Sequence, residues 1–116
     1  MKEITIWLTY DLGVGGDFPS IYSWLDDKKA VECGNNVAYL IFRCPDNINS
    51  DEEFVKFLKS ELEEKIKFKP GNRIYIVRKA FDQYEQGKTI GSFVIGKRKA
   101  NPWEGFGETT ENKIDG

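Results

Sequence analysis

Residues 4–13 read ITIWLTYDLG, and large apolar side chains recur at every second position from Ile4 to Tyr10. This period predicts a β-strand with one face against a core. Residues 13–17, GVGGD, follow, and an amphipathic stretch comes after them. The sequence therefore predicts a strand–loop–helix unit with a carboxylate, Asp11, at the end of its strand. A side chain in that position can reach a ligand without disturbing the core.

The composition is that of one soluble domain. The chain has 116 residues, of which 40% are hydrophobic and 31% are charged, and a chain of this length can bury a single core without a metal or a disulfide. No apolar run is long enough to cross a bilayer, and the first residues lack the pattern of a secretory leader. We therefore expect a cytoplasmic protein with no membrane partner.

The residue types exclude several kinds of chemistry. The chain contains no histidine, which removes the Ser-His-Asp and Cys-His systems and most transition-metal sites. Its two cysteines, Cys33 and Cys44, are too few for a zinc cage, and we expect both to be reduced. The net charge of −2 gives no overall attraction to nucleic acid, although cations are concentrated in the C-terminal third.

Two helices are predicted. The first runs from Phe18 to Lys28, with Asp17 or Ser20 as its cap. The second begins at residues 50–53, SDEE, which form a capping box with acidic residues in the first turn. An apolar stripe continues this helix, and residues 70–71, Pro-Gly, are expected to stop it.

Four more strands are predicted. Residues 30–33 and 37–43 flank Gly34-Asn35-Asn36 and are typical of a hairpin. The second arm of this hairpin is apolar on both faces, which predicts a central strand. Residues 73–78 and 89–96 supply the last two strands, the latter weakened by its glycines.

The element order β-α-β-β-α-β followed by one more strand predicts an α+β fold, a ferredoxin-like sandwich over residues 1–100 with an irregular tail over residues 101–116. The right-handed crossover rule places the first and third strands side by side. Two helices cover only one face of such a sheet, and Trp7 is expected to lie on the other face. Because large exposed aromatic residues commonly mark an interface, we expect a homodimer.

The glycine loop has two interpretations. The backbone amides of Gly13, Gly15 and Gly16, together with Tyr10, could hold a small ligand at the start of the first helix. However, Asp17 puts a carboxylate where a phosphate would bind, and neither nucleotide-binding spacing is met. The alternative is a flexible turn without a ligand.

Tyr10-Asp11 at the end of the first strand, together with the element order, resembles the small CRISPR-adaptation nucleases and the related virulence-associated D toxins. The resemblance implies a setting in bacterial or phage defence. It also implies that Asp11 helps to hold a divalent metal across a dimer axis and is catalytic. The alternative role for Asp11 is to cap the turn that ends the strand.

The segment after the last strand combines cations with aromatic residues. Lys97, Arg98 and Lys99 precede Trp103 and Phe106. The cations could hold a phosphate backbone while the rings stack on bases. The rings could equally anchor this arm in an apolar pocket of its own domain or of a partner. Acidic residues follow the rings, which favours a protein partner over nucleic acid.

These observations predict a small homodimeric binding or interaction module without a cofactor. The alternative is a magnesium-dependent nuclease or nucleic-acid-binding protein. It would use Asp11 as metal ligand and Lys97, Arg98 and Lys99 to attract the nucleic acid.

Overall fold

The structure is a computed structural model that describes residues 1–81 and 87–107. These residues contain seven helices and strands. They are β1 (Lys2–Asp11), α1 (Phe18–Asp27), β2 (Val31–Glu32), β3 (Val37–Cys44), α2 (Asp51–Lys65), β4 (Arg73–Lys79) and β5 (Thr89–Ile95).

The strands form one five-stranded antiparallel sheet in the order β2-β3-β1-β4-β5. The predicted contact between the first and third strands is confirmed, since β1 pairs with β3 along most of its length and with β4 at its C-terminal end. The protein thus has an α+β fold that is compatible with the ferredoxin-like class. Within the described part of the chain, neither helix is long and apolar enough to span a membrane.

The core lies between the helices and one face of the sheet. Ile6 and Leu8 of β1 are fully buried there, whereas Trp7 between them is 47% exposed on the opposite face. At the centre of the core, the Phe42 ring contacts the rings of Trp24 and Phe54, with centroids 6.5 and 5.9 Å away. The alternation predicted for the first strand is therefore confirmed.

Both helices begin at the predicted caps. The Asp17 carboxylate accepts a hydrogen bond from the Ser20 backbone N–H at 3.3 Å, and the Ser50 hydroxyl accepts one from the Glu53 N–H at 3.1 Å. In α2 the return bond of the capping box is displaced by one residue. The Glu53 carboxylate accepts from the N–H of Asn49 rather than from that of Ser50.

Strand β3 lies between β2 and β1, so its predicted central position is confirmed, but only one of its faces is buried, and Tyr39 and Ile41 on the other face are exposed. One expectation about the limits of an element was wrong. Helix α2 ends at Lys65, well before Pro70-Gly71, since Ile66 adopts an extended backbone and packs its side chain into the core. Burial of one apolar side chain therefore ends this helix earlier than the sequence signal does.

Both cysteines are free, and the described part of the tail is irregular. Cys33 is exposed, Cys44 is buried, and both are unpaired. Burial raises the pKa of the Cys44 thiol, which makes it a poor nucleophile. Residues 101–107 form turns without a helix or strand, and residues 108–116 of the predicted tail lie outside the described residues.

Candidate functional site

The face of the sheet opposite α1 and α2 is the candidate binding surface, called here the open face. The pairing register and the burial alternation place the odd-numbered residues of β1, β3, β4 and most of β5 on it. Its apolar side chains come from all five strands. They are Trp7, Val31, Val37, Tyr39, Ile41, Tyr75, Val77 and Phe93.

Aromatic rings lie in cross-strand pairs on this face. Trp7 is directly opposite Tyr39 in the register, and their ring centroids are 6.1 Å apart. Tyr75 is opposite Phe93, with the rings edge to face at 4.7 Å. Ile41 lies on the same strand and face as Tyr39 and is 53% exposed. The open face therefore presents a contiguous apolar surface to solvent, which is unusual for a monomeric domain.

One end of the open face carries a cluster of charges, called here the arginine end. The Arg73 guanidinium donates through Nε (3.0 Å) and Nη2 (2.8 Å) to Oδ2 of Asp11. The Arg98 guanidinium lies 5.3 Å from the Phe93 ring centroid and 5.8 Å from that of Tyr75. These side chains surround a shallow cavity of about 270 Å³. Asp11 is thus half of an ion pair on a cationic rim.

The other end of the open face contains a cleft. Strands β1 and β4 pair only from Trp7 opposite Val77 to Asp11 opposite Arg73, and they diverge beyond that point. The resulting β1–β4 cleft has a volume of about 460 Å³, and its lining consists of Glu3, Ile4, Thr5, Trp7, Lys79, Ala80 and Phe81. Apolar side chains form much of this lining, with one carboxylate and one ammonium group.

Tyr10 and the glycine loop lie away from the open face. The Tyr10 ring is on the helix side of the sheet, with centroids 6.2 Å from Tyr22 and 6.5 Å from Phe18. Burial, and then the neighbouring Tyr22 hydroxyl, raise the pKa of Tyr10 above its ordinary value. Lys69 Nζ donates to the Gly15 carbonyl at 2.7 Å and so holds the loop from outside.

The Asp17 carboxylate occupies the start of α1, where a bound anion would lie. Besides capping Ser20, its second oxygen accepts a hydrogen bond from the Lys67 backbone N–H at 2.9 Å. The Lys67 N–H and then the bond to Ser20 lower the pKa of Asp17. The carboxylate joins the start of α1 to the chain that follows α2.

Replacing Asp17 by Asn should lower the melting temperature at pH 7. Asn retains a capping oxygen, but its amide nitrogen cannot accept from Lys67 N–H. Because the pKa of Asp17 is depressed in the folded state, its stabilisation is present above the unfolded pKa and is lost as the pH falls through the folded pKa. The difference in melting temperature between wild type and variant, measured from pH 7 to pH 2.5, should therefore shrink with acidification. A constant difference would contradict this assignment.

Residues 97–107 form an exposed C-terminal arm. Backbone hydrogen bonds from Glu104 to Asn101 and from Phe106 to Trp103 fold it into turns. Trp103 is 69% exposed and Phe106 is 85% exposed. One predicted position for these rings was an apolar pocket of their own domain. The exposure of both rings shows that they do not occupy such a pocket in the described part of the chain.

The predicted site residues separate into three groups in the structure. Asp11 and Arg98 share the arginine end, while Tyr10 and the glycine loop lie on the helix side. Lys97 and Lys99 are exposed on the arm. Among the described residues, no three acidic or cysteine side chains are grouped as metal ligands.

Sequence reasoning missed three members of the arginine end, which are Arg73, Tyr75 and Phe93. Gly91 was a usable signal, because glycine inside a strand often marks the close approach of another group. In the structure the Tyr75 ring covers Gly91, and a Cβ there would collide with the Tyr75 hydroxyl. The strand glycine thus makes room for an aromatic ring that lies along the sheet.

Compared with protein-family models, curated proteins and solved structures, the chain matches none. The class of protein is therefore defined by fold and surface alone. It is an α+β domain in which, within the described residues, one face of the antiparallel sheet exposes a group of apolar side chains.

Proposed function

We propose that this protein is a homodimeric interaction module, a ferredoxin-like β-α-β-β-α-β sandwich with β5 as an extra strand, and that its open face is the dimer interface. One observation carries the proposal. The apolar side chains of the open face form a contiguous surface across all five strands, whereas α1 and α2 both pack on the other face.

The composition of the open face supports a protein partner. Protein interfaces are enriched in aromatic residues and arginine at their centre and are polar at the rim. Here Trp7, Tyr39 and Ile41 occupy the centre of the face, while ion pairs lie at its two ends. One pair is Arg43 with Glu3 at 3.0 Å, and the other is Arg73 with Asp11 at 2.8 Å.

Self-association also fits the pattern of charge. A two-fold axis brings identical surfaces together, so a charged centre would repel itself. The centre of the open face carries no charged side chain among the described residues, since its charges are at the strand ends. Two apolar centres can therefore meet without burying an unpaired charge.

The change Ile41→Glu tests this function. Each dimer would bury two new carboxylates without partners, and burying a charge without a partner is strongly unfavourable. We expect the dissociation constant of the dimer to rise at least about 100-fold, equivalent to about 3 kcal/mol. Sedimentation equilibrium across a concentration series measures it.

Val14→Glu is the matched control, because Val14 is fully exposed in the glycine loop and lies off the open face. This variant should dimerise like wild type, which separates the position of the new charge from the charge itself. A wild-type protein that stays monomeric at all concentrations, or an Ile41→Glu variant that dimerises normally, would overturn the proposal.

Nucleic-acid binding is the second candidate function, with magnesium-dependent cleavage as its enzymatic form. One observation favours it. Arg98 shares the arginine end with Asp11, and it lies over two aromatic rings that could stack on bases. A metal ion at Asp11 would compete with the Arg73 guanidinium for the same carboxylate oxygen.

A further inference from the structure

The C-terminal arm leaves the sheet at the arginine end of the open face. Gly96, which follows β5 with a φ of +76°, lies against the Asn72 backbone and the Arg73 side chain. Two residues later the Arg98 guanidinium is over the rings of Tyr75 and Phe93 on the open face. The arm therefore starts on the same side of the sheet as the proposed interface.

The arm presents two apolar side chains that its own domain does not enclose. Trp103 and Phe106 are held close together by the turn hydrogen bond between their backbones, at 3.0 Å. Both rings are mostly exposed. Exposed aromatic anchors on a short ordered segment are typical of interface hot spots, which bind in desolvated pockets of a partner.

The β1–β4 cleft is a pocket of matching chemistry on the same chain. Ile4, Trp7 and Phe81 give it apolar walls, and its volume of about 460 Å³ is sufficient for an aromatic side chain. Lys79 at its edge could pair with Glu104, the residue next to Trp103 in the arm. The cleft and the two rings are thus matched in hydrophobicity, and Lys79 carries a charge opposite to that of Glu104.

The cleft and the root of the arm are at opposite ends of one face. The cleft is beside Thr5, and the arginine end is at Asp11. Six residues of β-strand separate them, which is about 20 Å. In its observed conformation the arm does not return across this distance, since its aromatic rings stay exposed.

A symmetric dimer removes this separation. When two open faces stack about a two-fold axis that runs across the strands, the strand directions of the copies are reversed. The β1–β4 cleft of one copy then lies against the arginine end of the other, and symmetry repeats this juxtaposition. The arm of each copy emerges beside the cleft of its partner.

We propose that the C-terminal arm is exchanged in the dimer, with Trp103 and Phe106 of each copy bound in the β1–β4 cleft of the second copy. This inference rests on the proposed homodimer and names the contacts that fix its orientation. Face-to-face packing supplies apolar area, and the two exchanged arms select the antiparallel arrangement of the strands.

The double variant Trp103→Ser with Phe106→Ser tests the exchange in the full chain. It removes both anchors from exposed positions, so the fold should be unchanged by circular dichroism. We expect the dissociation constant of the dimer to rise at least tenfold in sedimentation equilibrium. Val14→Ser, an equivalent loss of an exposed apolar side chain, should leave it unchanged.

A mixing experiment identifies which copy receives the arm. Ala80→Glu places a carboxylate in the cleft while leaving the arm intact, and each variant alone lacks both arm–cleft contacts in its homodimer. A mixture of the arm variant and the cleft variant can form a heterodimer with one intact contact. We expect this heterodimer to be tighter than either variant homodimer.

The outcomes separate this inference from the proposed function. A monomeric wild type would overturn both. A wild-type dimer with an arm variant of equal affinity, or a mixture without recovery, would overturn arm exchange and leave the homodimer standing. If the arm variant loses thermal stability at concentrations where wild type is monomeric, the arm belongs in the cleft of its own chain, and exchange is also overturned.

Discussion

Replacing Asp51 by Ala should destabilise the protein by about 3 to 5 kcal/mol, because it leaves a buried guanidinium without its counter-ion. The Arg78 side chain is fully buried, and its Nη1 donates to Asp51 Oδ1 and to the Lys79 carbonyl. Within residues 1–81 and 87–107, its Nε and Nη2 have no hydrogen-bond partner. The Phe54 and Phe81 rings, with centroids 4.9 and 5.9 Å from the guanidinium carbon, exclude water from it.

Urea denaturation of matched variants measures this effect. Glu52→Ala removes the adjacent carboxylate of the same helical turn, which is exposed and pairs with Lys56, and it should cost less than about 1 kcal/mol. Asp51→Ala combined with Arg78→Met should recover part of the lost stability, since it removes the unpaired charge. An equal loss of unfolding free energy in Asp51→Ala and Glu52→Ala would contradict the argument that the burial of Arg78 makes its ion pair important.

Replacing Phe42 by Ala should cost about 3 to 5 kcal/mol through the cavity that it leaves in the core. Phe42 is fully buried, and its ring contacts aromatic rings of both helices, with Trp24 in α1 and Phe54 and Phe57 in α2. The same side chain therefore joins the two helices to β3. Loss of the ring should weaken the packing of both.

A graded series checks the cavity argument. Phe42→Leu keeps most of the apolar volume and should lose much less stability than Phe42→Ala in the same denaturation experiment. Tyr22→Ala removes an aromatic ring that is half exposed on α1 and should cost less than either core cavity. A Leu variant as unstable as the Ala variant would show that ring contacts, rather than filled volume, determine the effect.

Local patterns in the sequence predicted the elements of the fold. The alternation of residues 4–10 predicted β1 and the exposure of Trp7, and the capping residues Asp17 and Ser50 marked the helix starts. These features depend on neighbours within a few residues, so they can be recognised from the amino-acid sequence alone. The predicted end of α2 at residues 70–71 was wrong. The helix ends at Lys65 because Ile66 has an extended backbone and packs into the core, which is a tertiary contact.

The candidate site could be predicted only in part. Asp11 at the end of β1 and Arg98 after β5 were both singled out by their local settings, but their presence on one face depends on the strand order β1-β4-β5. The Arg73 partner of Asp11 is 62 residues away in the chain. No local pattern specifies such a pairing.

The sequence by itself determined which segments form strands and helices, and in β1 which side chains face the core, because backbone periodicity and capping are local properties. Only the tertiary structure decided that β1 and β4 separate beyond Trp7 to open a cleft, that Arg78 is buried against Asp51, and that the arm begins at the end of the face opposite to that cleft. The physical reason is that strand order and register bring together residues that are distant in the chain. Those contacts depend on the packing of the whole core rather than on any one segment.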